Sequence, residues 1–261
     1  MRRKKRRRIP IVLIVAFVLC LAMVIFCGSQ LVGIFLEYKE GTDEYDELKK
    51  YVEKELPDVS YNEDTSIEGE GEEVRGQRIA FEELKAQNED VIGWIEIPDT
   101  EISYPLMQGD DDQYYLKHTF SGNENSAGSI FVEYQNKPDL TDRHTIIYGH
   151  NMKNGSMFGG LKEYRKASYL VDHPMIYIDL EDGTHAYQIF SCYETPTDSD
   201  TYTIGFAAQP DGRYERFIQM IKDRSAYDTG IEVSKNDMVI TLSTCTKSGV
   251  NRFVVHAKRI Y

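Results

Sequence analysis

The chain has 261 residues, 41% of them apolar, and a formal net charge of −13, enough for one folded domain of ordinary size plus appendages. The charge is unevenly spread: residues 2–8, RRKKRRR, hold seven cations, so the rest of the chain sums to −20. A basic tip on an acidic protein could serve a nucleic acid, but the apolar run directly behind it excludes that use.

Ile9 to Cys27 is a run of nineteen residues without a charge, IPIVLIVAFVLCLAMVIFC. As a helix it spans roughly 28 Å at about 1.5 Å per residue, close to the hydrocarbon thickness of a bilayer. The apolar patch Leu31–Leu36 extends it. No small-x-small site follows for signal cleavage, and Phe26 stands where lipid attachment at Cys27 wants a small residue. The reading is a retained single-pass anchor over 9–36. Residues 1–8 form a cytoplasmic tip, because cations stay inside, and the remainder lies outside the cell.

Residues 37–75 carry fifteen acidic and five basic residues. Their first part, EYKEGTDEYDELKKYVEKEL, reads as a helix ended by Pro57, and the rest is too polar to bury anything. The expectation is an acidic stalk over 37–76 that holds a folded domain, 77–261, off the membrane. That domain opens on a short helix in FEELKAQNEDVIGWIEIP and moves into a strand at Trp94–Ile97. Short β-like runs follow between turn residues: EISYPLMQ, GSIFVEY, HTIIYGH, MIYIDL, HAYQIFSCYE, DMVITLSTC and RFVVHAKRI. Strands at this spacing favour a mainly β barrel or sandwich over a parallel α/β sheet. One helix interrupts them: in DGRYERFIQMIKDR, Tyr214, Phe217, Ile218 and Ile221 recur at helical spacing and give one apolar face. There is no glycine-rich phosphate loop and no paired-cysteine metal motif, so neither cofactor nor metal is expected.

Four cysteines are present. Cys20 and Cys27 fall in the apolar segment, while Cys192 and Cys245 lie beyond it and could pair outside the cell. Cys192, within QIFSCYE, reads as core. A lone thiol kept outside needs a reason, and Cys245 has a setting for one. The period of two in DMVITLSTC puts Val239, Thr241, Ser243 and Cys245 on one strand face, with Cys245 at the exit. In NRFVVHAKRI, Arg252, Val254 and His256 share a face, and the short connection lets adjacent antiparallel strands bring thiol and guanidinium together. A cysteine nucleophile needs a proton partner. His150, in TIIYGHNM, follows a strand and precedes a turn-rich stretch; His256 rivals it by sharing a face with Arg252; His144 is a loop candidate. Spacing alone leaves the base open between His150 and His256. Asp110–Asp112 reads as a solvated turn.

TLSTC followed by an arginine at the start of the last strand, with YGHNM about a hundred residues upstream, resembles the sortases, the membrane-anchored transpeptidases of Gram-positive bacteria. NEDVIGWIEIPDTEISYPLMQGDDDQYYL, AGSIFVEYQN and IIYGHNMKNGSMFGGL resemble class B in particular, over about 79–261. The resemblance implies a closed β-barrel with an N-terminal helix and an extra helix before the penultimate strand. It implies Cys245 as nucleophile, His150 as general acid and base, and Arg252 as oxyanion or substrate-positioning group, with Ser243 and Thr244 as groove-lining candidates. It also implies the substrates: surface proteins with a C-terminal signal of the Asn/Ser-Pro-x-Thr-Asn/Gly kind, cut after Thr and joined to a peptidoglycan or lipid-linked amine. A thiol of ordinary acidity is about 3% thiolate at pH 7 and an ordinary imidazole about 24% protonated, so an unperturbed pair is in the reactive form in under about 1% of molecules. Two other readings share parts of this pattern: a thiol hydrolase with the same three residues, and a non-catalytic membrane-tethered binding module.

Overall fold

A computed structural model describes residues 11–52, 78–207, 212–246 and 249–260. Eight strands close into one barrel: β1 (Val91–Glu96), β2 (Ser103–Met107), β3 (Ile130–Val132), β4 (His144–Tyr148), β5 (Met175–Leu180), β6 (Gly183–Pro196), β7 (Val239–Cys245) and β8 (Asn251–Arg259). The order around the barrel is β1-β2-β3-β4-β7-β8-β6-β5, with β5 returning to β1. Closure removes every free edge, which suits strands of this brevity. Every strand read from alternation is present. So are the expected helices: α2 (Phe81–Lys85) leads into β1, and α4 (Gly212–Asp223) precedes β7. A further short helix, α3 (Ala167–Asp172), precedes β5.

The interior is filled by side chains such as Trp94, Leu106, Ile147, Tyr187, Leu242 and Val255, all fully buried. A second cluster lies outside the barrel wall. There Tyr214, Phe217, Ile218 and Ile221 of α4 cover Phe190, Tyr193, Val239 and Val254. The alternating strands β6, β7 and β8 are therefore apolar on both faces at this place. The β1–β5 seam is clamped by Arg78, whose guanidinium reaches Asp179 of β5 at 2.8 Å and Glu96 of β1 at 2.8 Å. Asp179 also accepts from the Thr184 hydroxyl at 2.5 Å.

α1 runs unbroken from Ile11 to Leu48, 38 residues. Its apolar side chains from Val15 to Leu36 lie open, as do Val12, at 76% exposure, and Leu13, and it is long and apolar enough to cross a membrane. The structure departs from the expected stalk in what comes next: residues 37–48 are the last turns of this helix and sit on the barrel. Tyr45 is buried and its phenol donates to the Gly128 carbonyl at 2.6 Å. The Glu37 and Glu44 carboxylates accept from the backbone N–H groups of Ser126 and Ser121, each at 2.8 Å. Gly41 lets the helix close on Asn125, since a Cβ there would stand 3.1 Å from its amide oxygen. Two of the acidic side chains, Glu37 and Glu44, are thus acceptors for loop amides, while Asp43, Asp46 and Glu47 remain exposed beside Lys39, Lys49 and Lys50. Beyond a single 3₁₀ turn, Val52 bridges to Ile79. The remainder of the expected stalk, 53–76, and the basic tip at 1–8 lie outside the described residues.

Candidate active site

β7 is built from β-branched and hydroxyl residues that fit a half-buried pleated surface. It pairs in parallel with β4 and antiparallel with β8, in a register that sets Thr241 opposite His256, Ser243 opposite Val254, and Cys245 opposite Arg252. Opposed residues share a sheet face, so thiol and guanidinium leave the same side of the barrel at the strand exit. The connection is drawn tight by the Thr246 N–H on the Asn251 carbonyl at 3.0 Å. Arg252 donates to the Gly249 and Asn251 carbonyls at 3.2 and 3.4 Å, which holds the guanidinium over its own turn. Cys245 is half-buried and unpaired, as is every cysteine of the chain. Its carbonyl accepts from the Asn151 amide at 2.7 Å.

His150 follows β4 by one residue past Gly149, whose N–H donates to the Ser243 carbonyl at 3.1 Å. A Cβ at Gly149 would collide with Ile130 and Phe158, so only glycine lets the chain pass here and deliver His150 beside the end of β7. The Nε2 of His150 lies 2.7 Å from the Leu116 carbonyl. A carbonyl can only accept, so Nε2 carries the proton and Nδ1 is the nitrogen left to exchange one. The exits of β4 and β7 and the start of β8 thus bring His150, Cys245 and Arg252 to one end of the barrel. Among the described residues no hydrogen bond joins the three side chains to one another.

Ser243 shares the face of Cys245, and its hydroxyl meets the Tyr202 phenol at 2.9 Å. Tyr202 stacks on Tyr148 with ring centroids 6.5 Å apart. Burial pushes its ionisation up, opposed by the hydrogen bond with Ser243. Thr244 falls on the opposite face with Leu242 and Ile240, buried toward the barrel interior, where its hydroxyl has no hydrogen-bond partner. From there it does not meet the side that carries Cys245. The Cys192 thiol is buried, pushed up by that burial, and lies 3.1 Å from the Tyr164 carbonyl. Asp112, expected in a solvated turn, is instead half-buried. Burial first, then the Glu133 carboxylate, pushes its carboxyl up to about 7. Glu133 accepts from the Tyr148 phenol at 2.9 Å.

His256 does not stand at the strand exit. It is fully buried, with Nδ1 2.8 Å from the Thr241 hydroxyl, and burial holds it well below the usual imidazole range. His144, expected in a loop, opens β4 and is buried at 1% exposure, held down to about 4 by that burial. Both are neutral at pH 7. Their folded values lie below the unfolded value near 6.5, so the stability they contribute is complete above that pH and lost as pH falls toward 4. For His144 alone the loss is on the order of 3 kcal/mol. Urea unfolding between pH 7 and 4 is expected to show it, and a His144→Asn variant should have a flatter profile.

A profile described as the sortase domain matches residues 95–260. Sortase B of Listeria monocytogenes is 37% identical over 228 residues, 84% of this chain and 90% of the relative. The chain belongs to the sortase family, in its B class. Crystal structures agree: sortase B from B. anthracis in complex with AAEK1 is 33% identical, with a TM-score of 0.70 over 86% of this chain and 98% of that one. A Staphylococcus aureus sortase B–substrate complex gives 0.71 at 29% identity over the same shares. The protein is therefore a cysteine transpeptidase of the cell-wall-anchoring kind, and its long N-terminal helix fits a membrane anchor. Around this sortase site the sequence did not point to Tyr202, Asn151 or the Leu116 carbonyl. Asn151 adjoins His150 and could have been singled out from that alone. Tyr202 lies in an irregular stretch with no period to read, and a carbonyl carries no residue signature.

Proposed function

We propose that this sortase cleaves a C-terminal sorting signal of the Asn/Ser-Pro-x-Thr-Asn/Gly kind after Thr, and transfers the threonine carbonyl to a peptidoglycan or lipid-linked amine. Cys245 is the nucleophile, His150 the acid and base, and Arg252 the oxyanion-stabilising group. The Cys245 thiolate attacks the threonine carbonyl carbon. Arg252, directly opposite on β8, faces the oxygen as it takes up negative charge. The carbon–nitrogen bond breaks, and protonated His150 gives its Nδ1 proton to the departing amine. The incoming amine then attacks the thioester, neutral His150 takes its proton, and the thiolate leaves. Chain organisation follows: tip 1–8 inside the cell, anchor 9–36, and the barrel outside, facing the wall and the surface proteins it acts on.

The observation that carries this reading is the register that sets Cys245 opposite Arg252 at the strand exit, with His150 delivered beside it from β4. The test uses the full chain in detergent micelles, a panel of sorting-signal peptides, and amine acceptors, with products read by mass spectrometry and Cys245→Ala as control. A Cys245-dependent peptide–amine adduct is expected, and the motif giving most adduct identifies the preferred signal. Cys245-dependent release of free acid with every acceptor supplied would move the reading to a hydrolase. A chain that neither cleaves any peptide nor lets a thiol reagent label Cys245 would be a binding module.

A further inference from the structure

Residues 197–207, between β6 and α4, form the wall that sets Tyr202 against Ser243, on the strand face that carries Cys245 two residues on, and polar contacts hold that wall. Tyr202 reaches Ser243, and Arg224 of the segment after α4 holds Asp200 at 2.5 Å. Directly after these anchors the Thr203 carbonyl takes a hydrogen bond from a barrel residue far from the strand exit: His144 Nδ1, at 2.7 Å. We propose that His144 is a positioning residue for the transfer reaction, holding the Tyr202–Thr203 wall in place against Ser243, on the face that carries Cys245, while Thr241 and His256 fix the tautomer it needs.

The proton assignment has only one consistent direction. Thr203 offers a carbonyl, so His144 Nδ1 carries a hydrogen. Neutral His144 then has a lone pair on Nε2, which accepts from the Thr241 hydroxyl at 2.6 Å. Having given its hydrogen there, the Thr241 oxygen accepts from His256 Nδ1–H at 2.8 Å. His256 Nε2 is left as a bare lone pair, buried with no partner and ringed by Phe190 and Tyr193. The line of donors runs one way, from His256 through Thr241 and His144 to the wall. An apolar pair at 144 and 256 would pack the same space without an unpartnered nitrogen. What the histidines add is a fixed N–H aimed at Thr203, and buried networks of this kind select one arrangement over its neighbours. Phe217 of α4 lies against the His144 ring at 4.6 Å and keeps it in that orientation. Thr203 follows Tyr202 directly, so the pin acts one residue from the phenol that meets Ser243.

This inference rests on the transpeptidase reading of the site, and two readouts keep them apart. The full chain in detergent micelles is compared as wild type, His144→Asn, which keeps an N–H at the Nδ1 position, and His144→Leu, which keeps bulk and loses the donor. Amide hydrogen exchange over 197–207 needs no activity. It is expected to speed up in His144→Leu and to return toward wild type in His144→Asn, with the β7 and β8 amides unchanged. In peptide–amine transfer, His144→Leu is expected to raise KM about tenfold with a smaller change in kcat, and His144→Asn to recover most of it. Tyr202→Phe should add little to His144→Leu, because both act through one wall. Equal exchange and equal KM in all three proteins would overturn the proposal, as would additive effects of Tyr202→Phe and His144→Leu. If His144→Leu does not fold, Thr241→Val takes its place, and wild-type exchange and KM in that variant would overturn it equally. A wild type that transfers no peptide while its 197–207 exchange still depends on His144 sinks the transpeptidase reading and leaves the pin intact.

Discussion

Replacing His150 by alanine is expected to lower kcat/KM for peptide–amine transfer by about a thousandfold, within the range a positioned general acid–base supplies. The Leu116 carbonyl holds Nε2–H, so every proton exchanged with the leaving and entering amines passes through Nδ1. Asparagine is no substitute, since an amide nitrogen at the Nδ1 position donates but does not titrate; His150→Asn should fall as far as alanine. His256→Asn should behave differently. It disturbs a buried bond to Thr241 and therefore stability, while the pH profile of kcat/KM keeps its shape. The decisive measurement is the pair of pH–rate profiles. A His150→Ala enzyme with wild-type kcat/KM, or a His256→Asn enzyme without activity but with wild-type stability, would transfer the acid–base role to β8.

Asp179→Ala is expected to lower unfolding free energy by about 3–5 kcal/mol, the usual cost of breaking a buried ion pair, because Arg78 then keeps only the more exposed Glu96 across the seam. Arg78 is 4% exposed and Asp179 1%, so neither charge recovers hydration when its partner is removed. The loss is concentrated at the β1–β5 seam, where the barrel closes, because Asp179 pairs with Trp94 there and also accepts from Thr184. Chemical denaturation of the full chain in detergent gives the midpoint. Arg78→Met together with Asp179→Leu should recover much of the loss, because the pair's desolvation is then removed with its attraction. A single variant within about 0.5 kcal/mol of wild type, the scatter of ordinary surface changes, would mean that the seam is held by packing alone.

Most of the barrel was legible because its strands are short β-branched runs punctuated by glycine, proline and asparagine, and α4 was legible from the spacing of Tyr214, Phe217, Ile218 and Ile221. The Cys245–Arg252 adjacency followed from the strand period and the short connection, and the register bears it out. The choice between His150 and His256 was not available from those periods. His256 shares a face with Arg252, as read, but α4 covers that face before it reaches the exit. Which stretch of a sheet is covered is a property of elements far away in sequence. The docking of α1 was hidden for another reason. Glu37, Gly41, Tyr45 and Leu48 do recur at helical spacing, but two of them are a carboxylate and a glycine, and hydropathy does not register a carboxylate that serves as an acceptor for loop amides.

That docked helix limits how the enzyme meets anything. The apolar stretch to Leu36 and the seated turns from Glu37 share one continuous helix, so while those turns stay docked the barrel moves with its anchor. With that stretch in a bilayer, the open ends of β4, β7 and β8 ride at one altitude, set by the docked turns. Encounter with a partner that is itself tied to the bilayer then becomes a search in two dimensions, settled by lateral drift and by rotation about the helix axis.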